Sequence, residues 1–185
     1  ISAGINERDV IHSILYKTKK IDWNDDTTKL PDGFGQGITF NNISLPNVVS
    51  DGSNKLFQHS TINSVSMPSL VSCGDIFTSA NVKHFDLPTL SRCNNFAYLS
   101  EISTIYLPEL NKTTSNMGGP STTEIVLPKI NALYDFGVQQ CSRLERLYFG
   151  KDLAIFPSLP SNYGSPKPEL VIVLDTPQAI PVSRY

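Results

Sequence analysis

The sequence predicts an α/β-type solenoid, mostly β with irregular return arms, in which short parallel strands stack as successive coils. Three observations predict it. One apolar pattern closed by proline recurs at a nearly fixed interval, a second apolar register runs between its copies, and both ends of the chain break the pattern. A missed period would misassign the whole fold, so the repeat comes first.

The pattern is apolar–x–apolar–Pro–x–apolar. It occurs at Ile43–Val48, Val65–Leu70, Phe85–Leu90, Ile105–Leu110 and Ile125–Ile130, with a degenerate copy at Leu147–Gly150. The five prolines stand 22, 20, 20 and 20 residues apart. Alternation within a strand turns the first and third residues inward and the middle one outward. A three-residue strand cannot bury its apolar side alone. Stacked copies can, because neighbouring strands lie about 4.8 Å apart and each column becomes a continuous ladder. Proline lacks an N–H and so ends the ladder, and it favours extended backbone in the residue before it. The expected rungs are residues 43–45, 65–67, 85–87, 105–107, 125–127 and 147–149.

The second register places Phe57, Phe77, Phe96, Met117 and Phe136 about midway between strands. Ile62, Val82, Ile102 and Leu144 recur shortly before the next strand, with Thr122 as the polar member of that series. The unit containing Ser115–Pro120 departs from the others, and its arm is expected to be a distorted loop.

The ends read as caps. In residues 1–40, Asn6 and Asp9 have N-cap spacing, and Val10, Ile11, Ile14 and Leu15 share one helical face, predicting a short helix over 6–17. Residues 41–150 hold the repeats. Residues 151–185 carry six of the thirteen prolines, around an apolar run at Leu170–Leu174 that predicts a last strand within an irregular cap over the sheet edge.

The Leu-Pro unit, the mid-repeat Phe and Gln140-Cys141-Ser142-Arg143-Leu144 resemble the BspA-like class of leucine-rich repeats, over roughly residues 40–150. The resemblance implies adhesion or recognition through the repeat face, without a catalytic motif. It places the chain at a bacterial cell surface or in a virion-associated assembly such as a phage tail. This chain departs from the pattern in carrying the turn cysteine properly only at Cys141.

Composition narrows the function classes. Charged residues make up 17% of the 185, against roughly 25% in soluble domains, so Ser, Thr and Asn must supply the polar surface. A net charge of -2 gives no basic field for nucleic acid or an anionic membrane. No apolar run approaches the roughly 20 residues that span a bilayer. The chain opens at Ile1 with no basic-then-apolar leader, and reads as a processed chain or a piece of a longer one. Asn42-Ile43-Ser44 and Asn111-Lys112-Thr113 match the glycosylation pattern, which chance supplies readily in such a composition.

No motif predicts catalysis, a cofactor or a metal. Cys73 and Cys93 share a slot in adjacent repeats, at a spacing of about 5 Å that permits a disulfide; small apolar core residues are the favoured reading, with all three thiols free. Asp22–Asp26 alternates oxygen ligands as a calcium loop does, yet lacks the glycine and the later Glu, and reads as a solvated turn. His12, His59 and His84 lie far apart with no nucleophile motif beside them. Gly33–Gly37 has neither a Lys nor a following helix, so it reads as a flexible turn rather than a phosphate loop.

The outward strand positions are more informative. One column reads Asn42, Ser64, His84, Thr104, Glu124, Arg146, and the next reads Ser44, Ser66, Asp86, Tyr106, Val126, Tyr148. The candidate binding residues are therefore Tyr106, Val126 and Tyr148, with Glu124, Arg146, Asp86 and His84 beside them. Tyr and Arg are favoured at contact hot spots, while Tyr and Val are equally common on a plain solvent-facing sheet. The expected function is a non-enzymatic recognition module for a protein or glycan, within a larger assembly. A structural spacer packing against other subunits is the alternative, and an enzyme with its site in the C-terminal region is a third class.

Overall fold

The structure, a computed structural model, describes residues 20–22, 28–30, 32–50, 55–133, 137–138, 140–151, 153 and 171–174. Eleven strands follow one another within them: β1 Lys20–Asp22, β2 Thr39–Ser44, β3 Thr61–Ser66, β4 Asn81–Asp86, β5 Arg92–Cys93, β6 Thr104–Tyr106, β7 Lys112–Thr113, β8 Glu124–Leu127, β9 Ala132–Leu133, β10 Arg146–Phe149 and β11 Val171–Leu174. All pairings between them are parallel. The chain is a parallel β-solenoid, and the described residues contain no helix. The helix expected over 6–17 lies outside the described residues.

Each coil contributes to three ladders. The strand face is built from β1-β2-β3-β4 and then β6-β8-β10-β11, two four-stranded sheets divided between β4 and β6. A second ladder, expected to be an irregular arm, runs through Lys29, Ser50, Ser72 and Arg92 into β5-β7-β9. A third joins Leu56, Ile76, Phe96 and Met117. The return arms are regular because a buried arm must pair its backbone groups. Stacked copies of similar length pair them rung to rung, as in Phe77 N–H to Leu56 C=O at 3.0 Å and Ala97 N–H to Ile76 C=O at 2.8 Å.

The strand face turns a corner that period-two alternation does not contain. In β2 and β3 the buried residues are three apart, Phe40 then Ile43 and Ile62 then Val65, with two outward residues between them. Ile102 and Ile105, Thr122 and Ile125, and Leu144 and Leu147 keep that spacing. The series Ile62, Val82, Ile102, Thr122 and Leu144 therefore forms the short side before the corner. Thr122 is tolerated there because its hydroxyl donates to the Ile102 carbonyl at 2.8 Å and accepts the Gly119 N–H at 3.0 Å.

The rungs start earlier than expected, by four residues in β2, β3 and β4 and by one in β6, β8 and β10. Leu45, Met67, Leu87 and Leu107 lie just beyond their strands, though Leu45 and Met67 still donate backbone bonds to Ser66 and Asp86. All four are buried, as are Ile43, Val65, Ile105, Ile125, Leu127, Leu147 and Phe149; Phe85 is only partly so. The coil also extends past the repeat segment, since β1 pairs with β2 and β11 with β10.

The mid-repeat aromatic residues occupy two slots, not one. Leu56, Ile76, Phe96 and Met117 share a ladder position, so Phe57 and Phe77 belong to the next slot, with Ala97 and Gly118. The backbone there is left-handed in each coil (φ 54, 60, 58 and 80). The large side chain can sit at either slot because both point to one core. Phe57, Phe77, Phe96 and Phe85 form a chain of rings 5.3–6.1 Å apart.

Two loop expectations also change. Gly33–Gly37 is the turn of the first described coil, where Gly35 (φ 73) holds the place of Phe57 in the next one. A Cβ on Gly35 would meet the Phe57 ring at 2.5 Å, so the glycine is required by packing. The arm around Ser115–Pro120 keeps its ladder despite one extra residue, with Met117 bridged to Phe96 and Asn116 to Gly137. Gly119 makes this possible, since a Cβ there would lie 2.2 Å from the Ser100 carbonyl oxygen.

Ser60, Ala80 and Ser100 close the same turn in successive coils. The Ser60 hydroxyl donates to the Phe57 carbonyl at 2.6 Å, whereas the fully buried Ser100 hydroxyl has no partner among the described residues. Ser100→Ala is expected to raise stability by about 1 kcal/mol, because an unpaired buried hydroxyl costs that order. Urea midpoints measure it, and a loss of stability would show that the hydroxyl is bonded.

Candidate recognition face

Rungs of the second sheet set the outward residues in register. Tyr106 stands opposite Val126, Val126 opposite Tyr148, and Tyr148 opposite Val173. Four rungs at about 4.8 Å make a row about 14 Å long. Tyr106 is 55% exposed and Val173 40%, with Val126 and Tyr148 half-buried between them. The sequence marks Leu170–Leu174 as a strand but not Val173 as the fourth member of this row; its signal was the alternation within that run.

Beside the row, Thr104, Glu124 and Arg146 are in register. Arg146 Nη1 donates to Glu124 Oε1 at 3.0 Å, with side chains 62% and 29% exposed. Such an exposed pair contributes little stability. Its effect is to leave the apolar row flanked by a polar border with no net charge. A second pair, Lys129 to Glu109 at 2.7 Å, lies at the proline turns.

His84 and Asp86 are exposed on β4, in the first sheet, and so are not paired with the Tyr106 rung. His84 aligns with Ser64, and Asp86 accepts the Ser66 hydroxyl at 3.0 Å. They border the break between the sheets and belong to its Ser-lined side.

Among the described residues, the histidines stand apart from one another. His59 sits exposed in a left-handed turn (φ 56), His84 is on the strand face, and His12 lies outside the described residues. Asp22 ends β1, and the rest of Asp22–Asp26 lies outside the described residues. No group of three His, Cys, Asp or Glu among the described residues could hold a metal ion.

Cys73, Cys93 and Cys141 are buried, and none is in a disulfide. Burial pushes the Cys93 thiol up from about 9 to about 12, Asp75 adds to that, and a hydrogen bond with Thr113 opposes it. Burial also pushes Cys141 up to about 12, against a hydrogen bond with Thr122. Both thiols stay protonated and unreactive when folded. The stability this protonation gives is fully present below about pH 9, where a free thiol ionises, and is lost as pH rises toward about 12. Aromatic disulfide reagents are expected to react slowly with the native protein at pH 8, and to count three thiols after unfolding without reductant. A count of one would reveal a Cys73–Cys93 disulfide.

No family model matches this chain, and no curated protein or solved structure matches it.

Proposed function

We propose that the chain is a non-enzymatic recognition module, and that it binds a protein partner through the row Tyr106, Val126, Tyr148 and Val173. The observation that carries this reading is the register of that row. Two tyrosines and two valines leave one rigid sheet in consecutive rungs, so they form a single preformed surface. Rigid aromatic side chains lose little entropy on binding, and the tyrosine hydroxyls supply hydrogen bonds at the edge. The flanking Glu124–Arg146 pair offers both signs of charge to a mixed polar rim, as protein interfaces have. The resemblance to BspA-like repeats supports the same reading, and with it a place at a bacterial surface or in a virion-associated assembly.

Site-directed photo-cross-linking tests the proposal. A benzoylphenylalanine at position 106, and in a separate protein at position 64, is irradiated with surface proteins of the source cells. A distinct polypeptide captured from position 106 and not from 64 supports the module. Capture of a second copy of this chain favours the spacer or scaffold instead. Equal capture from both positions, or none, overturns the assignment.

A further inference from the structure

The first sheet carries a feature that the aromatic row does not use. Across the short sides of β2, β3 and β4 runs a groove of about 690 Å³, whose polar lining is Thr39, Asn41, Thr61, Asn63, Asn81 and Lys83, with Gly37, Ile38, Phe40 and Ile62 completing it. We propose that this groove binds a neutral linear oligosaccharide, at a site separate from the aromatic row.

The residues select the ligand. Register sets Thr39 beside Thr61 and Thr61 beside Asn81, and the Asn42–Ser64–His84 alignment puts Asn41, Asn63 and Lys83 in the adjoining column. Five of these six polar residues carry a hydroxyl or a carboxamide. Each of these groups both donates and accepts hydrogen bonds, which is what a sugar hydroxyl requires of its partner. Among the described residues, the side chains of Thr39, Asn41, Thr61 and Lys83 make no hydrogen bond, while Asn63 reaches Asn42 only at 3.4 Å. Their bonding capacity is therefore available to a ligand. The columns repeat at about 4.8 Å, comparable to the advance of one sugar unit along an extended chain. Successive rungs can then bond successive units.

Competing ligands fit less well. One lysine in a chain of net charge -2 is too little for a polyanion, and Glu101 takes a bond from Asn81 at 3.0 Å at the far end. A peptide cannot add to the sheet at the middle of the groove, because β3 is paired on both sides. An apolar ligand would strip water from the carboxamides without replacing their bonds. The volume lies within the range of about 300–1,000 Å³ found for small-molecule sites. Gly37 has nothing within 4 Å of where its Cβ would stand, which leaves that rim open. In later coils the same two columns bring in Glu101, Arg143 and Glu145, whereas Lys83 is the one charged side chain lining this groove.

Saturation-transfer NMR on the whole chain tests this, using neutral linear tetrasaccharides of glucose, galactose, mannose and N-acetylglucosamine, with a sulfated tetrasaccharide for comparison. At least one neutral tetrasaccharide is expected to bind. Asn41→Ala with Asn63→Ala should weaken it about tenfold or more, and Thr61→Arg, which fills the groove, should abolish it. Unchanged thermal unfolding of these surface variants separates lost binding from lost folding. Failure of every neutral tetrasaccharide to bind overturns the proposal, as does binding that survives both variants. Binding of the sulfated sugar alone, lost in Lys83→Met, makes this an anion site and equally overturns it.

Discussion

Leu107→Ala is expected to lower the unfolding free energy by about 2–5 kcal/mol, the range for truncating a buried leucine. Leu107 is fully buried, between Leu87 and Leu127 of the neighbouring coils. Its coil is also the one where the strand face is interrupted, because β6 pairs with β8 and β4 with β3. The two halves are held together there by the return-arm ladders and by core packing such as that of Leu107. In a stack of coils, stability is a sum of unit terms and nearest-neighbour terms, so a weakened junction reduces cooperativity as well as total stability. Guanidinium unfolding followed by circular dichroism should show a lower midpoint and a shallower slope. A cost below about 1 kcal/mol would mean that the site collapses onto its neighbours, or that this rung is not core.

The strand face was legible in the sequence because proline marks five of its rungs at the same place, and the alternation around it fixes which residues turn inward. Leu87, Leu107 and Leu127 need no other information. The corner before each strand was also written there, as the three-residue spacing of Ile62 to Val65 or Ile102 to Ile105, but a period-two reading passes over it. The arms were harder. Their ladders are one or two residues long, as at Arg92–Cys93 and Lys112–Thr113, and such pairs carry no periodicity of their own. They become strands only because stacking supplies the partner. The sliding of the aromatic residue between two slots, Phe77 in one coil and Phe96 in the next, is likewise a property of the shared core rather than of either repeat.

The candidate face divides along the same line. Tyr106, Val126 and Tyr148 could be aligned from the repeat pattern alone, and the structure places them in that register. The groove on the first sheet could not, because it depends on the corner. Its residues read as an ordinary polar surface until Thr39 and Thr61 are set side by side.

For a partner captured at position 106, the Tyr106→Ala, Tyr148→Ala double variant is expected to lose about a thousandfold in affinity. Anchoring tyrosines at interfaces are worth roughly 2 kcal/mol or more each, and about 4 kcal/mol corresponds to three decades. The two residues stand two rungs apart, about 10 Å, with Val126 between them, so their effects should nearly add. Neither change touches the core, since both side chains leave the outer side of the sheet; the unfolding midpoint should move little. Tyr106→Phe isolates the hydroxyl and should cost less than tenfold, because most of the contact is ring area. Calorimetric titration of both variants reads the effect directly. An affinity within threefold of the parent chain would remove the row as the anchor. If changes within residues 151–185 other than those in β11 abolished binding while the tyrosine variants kept it, the contact would lie on the C-terminal segment, and the row would be an ordinary exposed sheet.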